Sequence, residues 1–146
     1  MTLISGEIQT LIDVALAEDL SIGDSTTDAL IPPDMNGRAN LLAKAEGILA
    51  GIDVAFAVFR RVDPSLDTSV QVKDGSALHP GIVIGSISGS VASILKAERT
   101  ALNFLQRLSG IATETNKYVI KTAGHRAQVV DTRKTTPGLR TLEKYA

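Results

Sequence analysis

A chain of 146 residues can form one sizeable hydrophobic core, whereas two complete domains would be cramped. Hydrophobic residues make up 44% and charged residues 21%, as in ordinary soluble globular proteins, and the absence of cysteine excludes disulfides and thiolate metal sites. The first residues lack the pattern of a signal peptide, and the uncharged stretch 75–95 is too polar for a membrane helix. We therefore expect a cytoplasmic protein that does not contact a membrane.

The formal net charge of −1 conceals a strong asymmetry between the two ends of the chain. Residues 1–95 carry 12 acidic and 5 basic side chains, whereas residues 96–146 carry 4 acidic and 10 basic ones. A cationic C-terminal third attracts anions. Aromatic residues are only 3% and no nucleic-acid motif is present, so small anionic substrates fit better than nucleic acid.

The first ninety residues alternate between helical and strand patterns. Residues 8–20 and 52–62 show helical spacing, residues 39–45 alternate as a half-buried strand does, and short apolar runs at 70–72 and 82–87 indicate further strands. This mixture predicts an α+β domain over about the first hundred residues.

Four acidic residues cluster at the end of the first helix and just after it. Their spacing matches no known metal loop, and Asp24, followed by hydroxyl residues, is more typical of a helix cap or a turn. His79 and His125 lack neighbouring ligands. We therefore predict no metal site. The four acids are Glu18, Asp19, Asp24 and Asp28.

Two helices are predicted next, over residues 91–108 and 111–123, with a break at Ser109-Gly110. The spacing from Leu95 to Leu102 places Arg99 on the apolar stripe of the first helix. A charge on a buried face is costly unless it is paired or used. Arg99 therefore either extends to solvent, pairs with an acid such as Glu98, or serves a function.

An apolar run at residues 128–132 predicts a short buried strand, followed directly by Arg133 and Lys134. Thr136-Pro137 then resembles a helix N-cap with proline at the first helical position. In α/β proteins, loops at the C-terminal ends of strands hold the chemistry. A guanidinium suits a carboxylate and an ammonium suits a phosphate, so this segment is a plausible anion site.

Two long motifs resemble the quinolinate phosphoribosyltransferase family. They are residues 98–113 (ERTALNFLQRLSGIAT) and residues 131–140 (DTRKTTPGLR), and residues 17–20, 23–24 and 47–51 also match the family's first domain. The resemblance implies an N-terminal α/β sandwich domain, here residues 1–108, followed by the start of an open α/β barrel. Residues 109–146 would form the barrel's first helix, strand and active-site loop.

The resemblance also implies a reaction. The family transfers the ribose 5-phosphate unit of phosphoribosyl pyrophosphate to quinolinate, giving nicotinate mononucleotide, pyrophosphate and CO₂ in NAD biosynthesis. By motif, Arg133, Lys134 and Thr132 bind substrate, and Arg99 reaches the active site of the partner subunit in a head-to-tail homodimer. Mg²⁺ would accompany the donor, with its ligands outside this chain, and the catalytic residues are not identified.

The later family residues near the donor and metal are missing, so we expect an incomplete enzyme that is inactive alone. Three alternatives stay open. One is the pyrophosphorylase-like paralogue associated with molybdate transport. Another is a carrier-like module, because the turns from Asp74-Gly75 through Gly81 to Gly89 resemble those of lipoyl- or biotin-carrier domains, although Lys44 and Lys73 lack the required hairpin-tip setting. The third is a non-catalytic dimerisation module.

Overall fold

A computed structural model describes residues 4–146, in which helices and short strands alternate along the chain. The α+β class is confirmed, and the helices and strands expected up to residue 90 are all present within a few residues. No helix of the described chain combines the length and apolarity needed to cross a membrane. The elements are α1 Gly6–Leu20, α2 Ser25–Leu30, β1 Asn36–Leu42, β2 Gly47–Ile48, α3 Ile52–Val62, β3 Asp67–Val70, β4 Ala77–Leu78, β5 Val83–Ser90, α4 Val91–Thr122 and α5 Arg140–Tyr145.

The main sheet is antiparallel and has the strand order β1-β5-β3. Ile87 of the central strand pairs with Ala39 on one side and Thr68 on the other, and it is almost fully buried. Strands β2 and β4 form a separate antiparallel pair. The Asp74-Gly75 turn therefore links two different sheets and is not the tip of a hairpin, which removes the structural basis of the carrier-like alternative.

The core lies between α3, α4 and the main sheet. Helix α3 contributes the largest buried side chains, Phe56 and Phe59, and α4 supplies a buried row that includes Leu108. The start of α3 approaches α4 closely at Gly51, whose φ of +92° is in the left-handed region. A Cβ atom at Gly51 would lie 2.5 Å from Leu108 Cδ1, so glycine is required for both reasons.

Helix α4 runs without interruption through Ser109-Gly110, so the predicted helix break there is wrong. The hydroxyls of Ser109 and Thr113 stabilise the continuous helix because they hydrogen-bond to the chain segment that packs against it. They accept hydrogen bonds from the backbone N–H groups of Ala50 at 3.1 Å and Ile48 at 2.8 Å. Glycine inside a helix costs only about 1 kcal/mol relative to alanine, and these contacts offset it. The 108/109 domain boundary remains a prediction and falls within α4.

Two expectations for the C-terminal segment are also wrong. Residues 128–132 form no strand, because no other strand of the described chain lies beside this segment to pair with its backbone N–H and C=O groups. Val130 is accordingly 78% exposed. Helix α5 begins at Arg140, not at Pro137. Thr136 to Leu139 instead form a turn, closed by a 3.0 Å hydrogen bond from Leu139 N to Thr136 O. Proline followed by a glycine with φ +81° is typical of a type II turn.

Candidate functional site

Three of the four predicted binding residues lie in residues 132–136, here called the cationic loop. The Thr132 hydroxyl accepts a 3.2 Å hydrogen bond from Lys134 N, which holds a bend at Arg133. Thr132 and Lys134 line a cleft of about 410 Å³, whereas Arg133 is exposed outside it. The two cations therefore project into different surroundings. Among residues 4–146, no carboxylate lies within 4 Å of either charged group.

Helix α5 holds the cationic loop and its neighbour Asp131 through side-chain contacts. Lys144 pairs with Asp131 at 2.8 Å, and Arg140 Nε donates to the Thr135 hydroxyl at 3.3 Å. Glu143 Oε2 accepts a 3.0 Å hydrogen bond from Thr136 N. These contacts come from adjacent turns of α5. The position of the loop therefore depends on where α5 is docked.

Helix α5 is docked on the rest of the molecule by one buried apolar residue and by several polar contacts. Leu142 is 1% exposed within the core. The Tyr145 hydroxyl donates to Asp74 at 2.7 Å, and burial together with this carboxylate raises the pKa of Tyr145 to about 12. Asp74 also caps α3, because it accepts from Gly51 N at 2.6 Å and Ile52 N at 3.1 Å.

A second polar contact joins α5 to α4. The Arg107 guanidinium donates through Nε to Glu143 Oε1 at 3.1 Å, and its Nη2 contacts the same oxygen and the Thr136 hydroxyl. Arg107, assisted by Thr136, lowers the pKa of the Glu143 carboxyl below its ordinary value. The carboxylate is therefore charged at neutral pH and joins α4, α5 and the cationic loop.

Arg99 is not on the buried stripe of α4, contrary to the expectation from its spacing. Its side chain is 76% exposed and pairs with Asp19 of α1, Nη1 to Oδ1, at 3.1 Å. Five residues at about 100° each place Arg99 roughly 140° away from buried Ile94. The flanking Leu95, itself 39% exposed, does not mark the core-facing side. The alternative of pairing with an acid is the one the structure shows.

The acidic stretch near residue 20 has structural partners. Asp24 caps α2, as predicted, by accepting from Thr27 N at 3.1 Å and from its hydroxyl, and the Thr27 contacts lower the pKa of Asp24. Asp28 pairs with Lys96 of α4 at 2.6 Å. Within the described residues, no group of three or more His, Asp or Glu side chains is arranged to hold a metal ion.

The structure places the four predicted binding residues in two separate locations. Thr132, Arg133 and Lys134 share the cationic loop, whereas Arg99 lines a different cleft of about 510 Å³ with Asn103 and Gln106.

Two further pairs of residues hold the site, and sequence reasoning missed both. Arg107 and Glu143 are 36 positions apart, and Asp74 and Tyr145 are 71 positions apart. No local pattern connects residues at such separations. The sequence therefore held no signal by which either pair could have been found.

Family models and curated relatives of this chain all indicate the same protein family. Residues 24–109 match the model of the quinolinate phosphoribosyl transferase N-terminal domain, and residues 111–146 match that of its C-terminal domain. A Nicotiana tabacum quinolinate phosphoribosyltransferase [decarboxylating], 1b, is 46% identical over 141 residues, which are 96% of this chain and 40% of that protein. A probable nicotinate-nucleotide pyrophosphorylase [carboxylating] from Synechocystis is 44% identical over 131 residues, 90% of this chain and 44% of that protein.

A solved structure agrees with these relatives. NadC from Streptococcus pyogenes superposes with a TM-score of 0.95 at 42% identity, over 99% of this chain and 52% of that one. The chain therefore spans about 40% of the first tobacco relative and about half of this solved structure. With both domain models matched in order along its length, the chain belongs to the quinolinate phosphoribosyl transferase family.

Proposed function

We propose that this chain forms part of a quinolinate phosphoribosyltransferase (decarboxylating). The reaction joins quinolinate and phosphoribosyl pyrophosphate to give nicotinate mononucleotide, pyrophosphate and CO₂. The names of the relatives favour this enzyme over the molybdate-associated paralogue. One observation carries the proposal: within the family's motif, Arg133 and Lys134 are exposed and unpaired with any carboxylate of residues 4–146.

The chemistry explains why two cations at one loop are useful. Quinolinate carries two adjacent carboxylates, and the donor adds a phosphate and a pyrophosphate. Such a reaction needs positioning and charge stabilisation more than covalent chemistry from the protein. The planar guanidinium of Arg133 suits a carboxylate, and Lys134 suits a carboxylate or a donor phosphate. The Thr132 hydroxyl stabilises the bend at Arg133.

Arg99 fits the proposal as a residue that acts in a second subunit. Within one chain it lines a different cleft from the cationic loop, and its exposed guanidinium can extend outward once it leaves Asp19. We propose a head-to-tail homodimer in which Arg99 of one protomer reaches quinolinate bound by its partner. This arrangement remains a prediction.

The proposal includes Mg²⁺ bound to the pyrophosphate donor. The described residues contain no cluster that fits a metal ion, so no ligand is assigned to this chain. A cytoplasmic location also remains a prediction. One Nicotiana glauca relative is named mitochondrial and the Arabidopsis one chloroplastic.

The test uses a fusion enzyme in which this chain replaces the equivalent half of Streptococcus pyogenes NadC, the two being superposable with a TM-score of 0.95. We expect CO₂ release that depends on both quinolinate and phosphoribosyl pyrophosphate. Arg133→Ala should lower kcat/KM by about 10²-fold or more, since it removes a charged hydrogen-bonding partner. Arg126→Ala, which removes an exposed arginine of the same segment, is the matched control and should have little effect.

A folded fusion enzyme that neither binds quinolinate nor releases CO₂ would contradict the proposed function. If Arg133→Ala and Arg126→Ala had equal effects, Arg133 would not belong to the site, and the cationic segment would act only by attracting the anionic substrates in general.

A further inference from the structure

Glu143 lies where α4, α5 and the cationic loop meet, and its two carboxylate oxygens have different partners. Oε1 accepts from the Arg107 guanidinium, and Oε2 accepts from the backbone N–H of Thr136 at 3.0 Å. The Glu143 side chain is only 12% exposed, whereas its partner Arg107 is 46% exposed, so the carboxylate lies at the edge of the core with solvent on the Arg107 side. One partly buried carboxylate thus connects a core helix to the loop.

Arg107 closes this arrangement into a ring. Its Nη2 contacts both Glu143 and the Thr136 hydroxyl, so Thr136 is held through its backbone and its side chain. Thr136 lies two residues after Lys134 and three after Arg133. Arg107 belongs to a helix of 32 residues that packs along the core, so the ring fixes the loop to a rigid element.

The other side-chain contacts that reach this segment are weaker anchors. The Arg140–Thr135 hydrogen bond is 3.3 Å long and exposed, and Lys144 and Asp131 are 39% and 55% exposed. Exposed ion pairs contribute little because solvent screens them. The Arg107–Glu143–Thr136 ring differs from these contacts because it bonds both the backbone N–H and the hydroxyl of one loop residue, which makes it the principal attachment of the cationic loop.

We propose that Arg107 and Glu143 are positioning residues for substrate binding: they hold Thr136 so that Arg133 and Lys134 are preorganised for the two carboxylates of quinolinate. This inference rests on the proposed function. Two adjacent cations repel one another, and a loop without regular structure would otherwise have to be ordered at the moment of binding. Anchoring it beforehand transfers that entropic cost from binding to folding.

The decisive test separates the ion pair from the loop anchor. Arg107→Met and Glu143→Gln remove parts of the ring, and the double variant Arg107→Glu/Glu143→Arg reverses the ion pair. The reversed pair restores attraction between α4 and α5, but an arginine at position 143 has no acceptor for Thr136 N–H. Lys117→Met is the matched control, because it breaks the exposed 2.8 Å Lys117–Glu114 pair elsewhere on α4.

Two properties are measured on each variant. Hydrogen exchange of the peptide covering residues 132–136 is measured on the chain itself, and quinolinate affinity is measured by calorimetry on the fusion enzyme at a temperature where all variants are folded. We expect Arg107→Met and Glu143→Gln to exchange faster and to bind quinolinate about 10-fold or more weakly. The charge reversal should recover the melting temperature but neither the protection nor the affinity. Should Arg107→Met fail to fold, Arg107→Lys keeps the charge without the fork and serves in its place.

Two results would overturn the inference. One is unchanged quinolinate affinity in the single variants despite a lower melting temperature. The other is recovery of affinity together with melting temperature in the charge reversal, which would show a role in docking α5 only. Failure of the proposed function has a different signature, since the unsubstituted fusion enzyme would then not bind quinolinate, and the inference would fall with it.

Discussion

Replacing Gly51 by alanine should destabilise the protein more than the same substitution at Gly75 or Gly110. Gly51 has φ +92° and is buried where α3 begins against α4. The new Cβ atom would lie 2.5 Å from Leu108 Cδ1 and 3.3 Å from Leu108 Cβ. Leu108 is itself 1% exposed, so its side chain can move away only by displacing its neighbours in the core.

The magnitude has two parts. A left-handed conformation costs an L-residue about 1–2 kcal/mol. Forcing an extra methyl group into a packed core costs about 1–3 kcal/mol. We therefore expect the free energy of unfolding to fall by about 2–5 kcal/mol, a large part of the stability of a domain.

Alanine substitutions at the two other glycines separate the conformational contribution from the packing contribution. Gly75 also has a positive φ of +84°, but nothing lies within 4 Å of its added Cβ, so Gly75→Ala should lose only the conformational part, about 1–2 kcal/mol. Gly110 lies inside α4 with open space around it, so Gly110→Ala should stabilise the protein by up to about 1 kcal/mol. Urea denaturation of the three variants gives the comparison. If Gly51→Ala cost no more than Gly75→Ala, the close approach between α3 and α4 would be refuted.

Three further predictions concern the contacts around the site. Asp74→Ala should lower the free energy of unfolding by about 1–2 kcal/mol because it uncaps α3, whereas Tyr145→Phe should cost only about 1 kcal/mol; urea denaturation that ranks them in the opposite order would contradict the cap. Folding lowers the pKa of Glu143, so the charged carboxylate stabilises the protein above its ordinary pKa of 4.5, and this stabilisation is lost as the pH falls through the folded-state pKa. Glutamine at this position cannot titrate. The melting temperature of Glu143→Gln should therefore fall less steeply than that of the unsubstituted chain from about pH 5 to about pH 3. Asp19→Asn should lower the free energy of unfolding by less than about 1 kcal/mol, and by still less in high salt, because the Arg99–Asp19 pair is largely exposed. A loss of about 3–5 kcal/mol would instead indicate that Arg99 is buried, as its spacing suggested.

Much of the fold followed from local patterns. The spacing of residues 52–62 predicted α3 with its observed bounds, and Asp24 was identified as a cap because its hydroxyl neighbours follow within one turn. The errors arose where long-range contacts outweigh a local signal. Ser109-Gly110 resembles a helix end, but Ser109 bonds to Ala50, 59 residues away, and the helix continues. A β-branched run at 128–132 forms no strand without a neighbour.

In the candidate site, too, local patterns identified some residues and missed those that depend on long-range contacts. Thr132, Arg133 and Lys134 were singled out from a motif because they are contiguous, whereas Arg99 was placed on the wrong side of its helix. The groups that hold the site, Arg107 with Glu143 and Asp74 with Tyr145, come from distant segments and have no periodicity of their own.

The way the cationic loop is attached has a consequence for how substitutions should act. Helix α5 buries a single residue, Leu142, while the apolar core is built largely from α1, α3, α4 and the main sheet. The cationic loop is therefore held mainly by hydrogen bonds and ion pairs, and core substitutions should change stability without moving it. Because polar contacts fix direction as well as distance, they suit a loop whose two cations, under the proposed function, bind charged groups of the substrates in a defined geometry. Substitutions in the polar contacts should accordingly change binding more than they change stability.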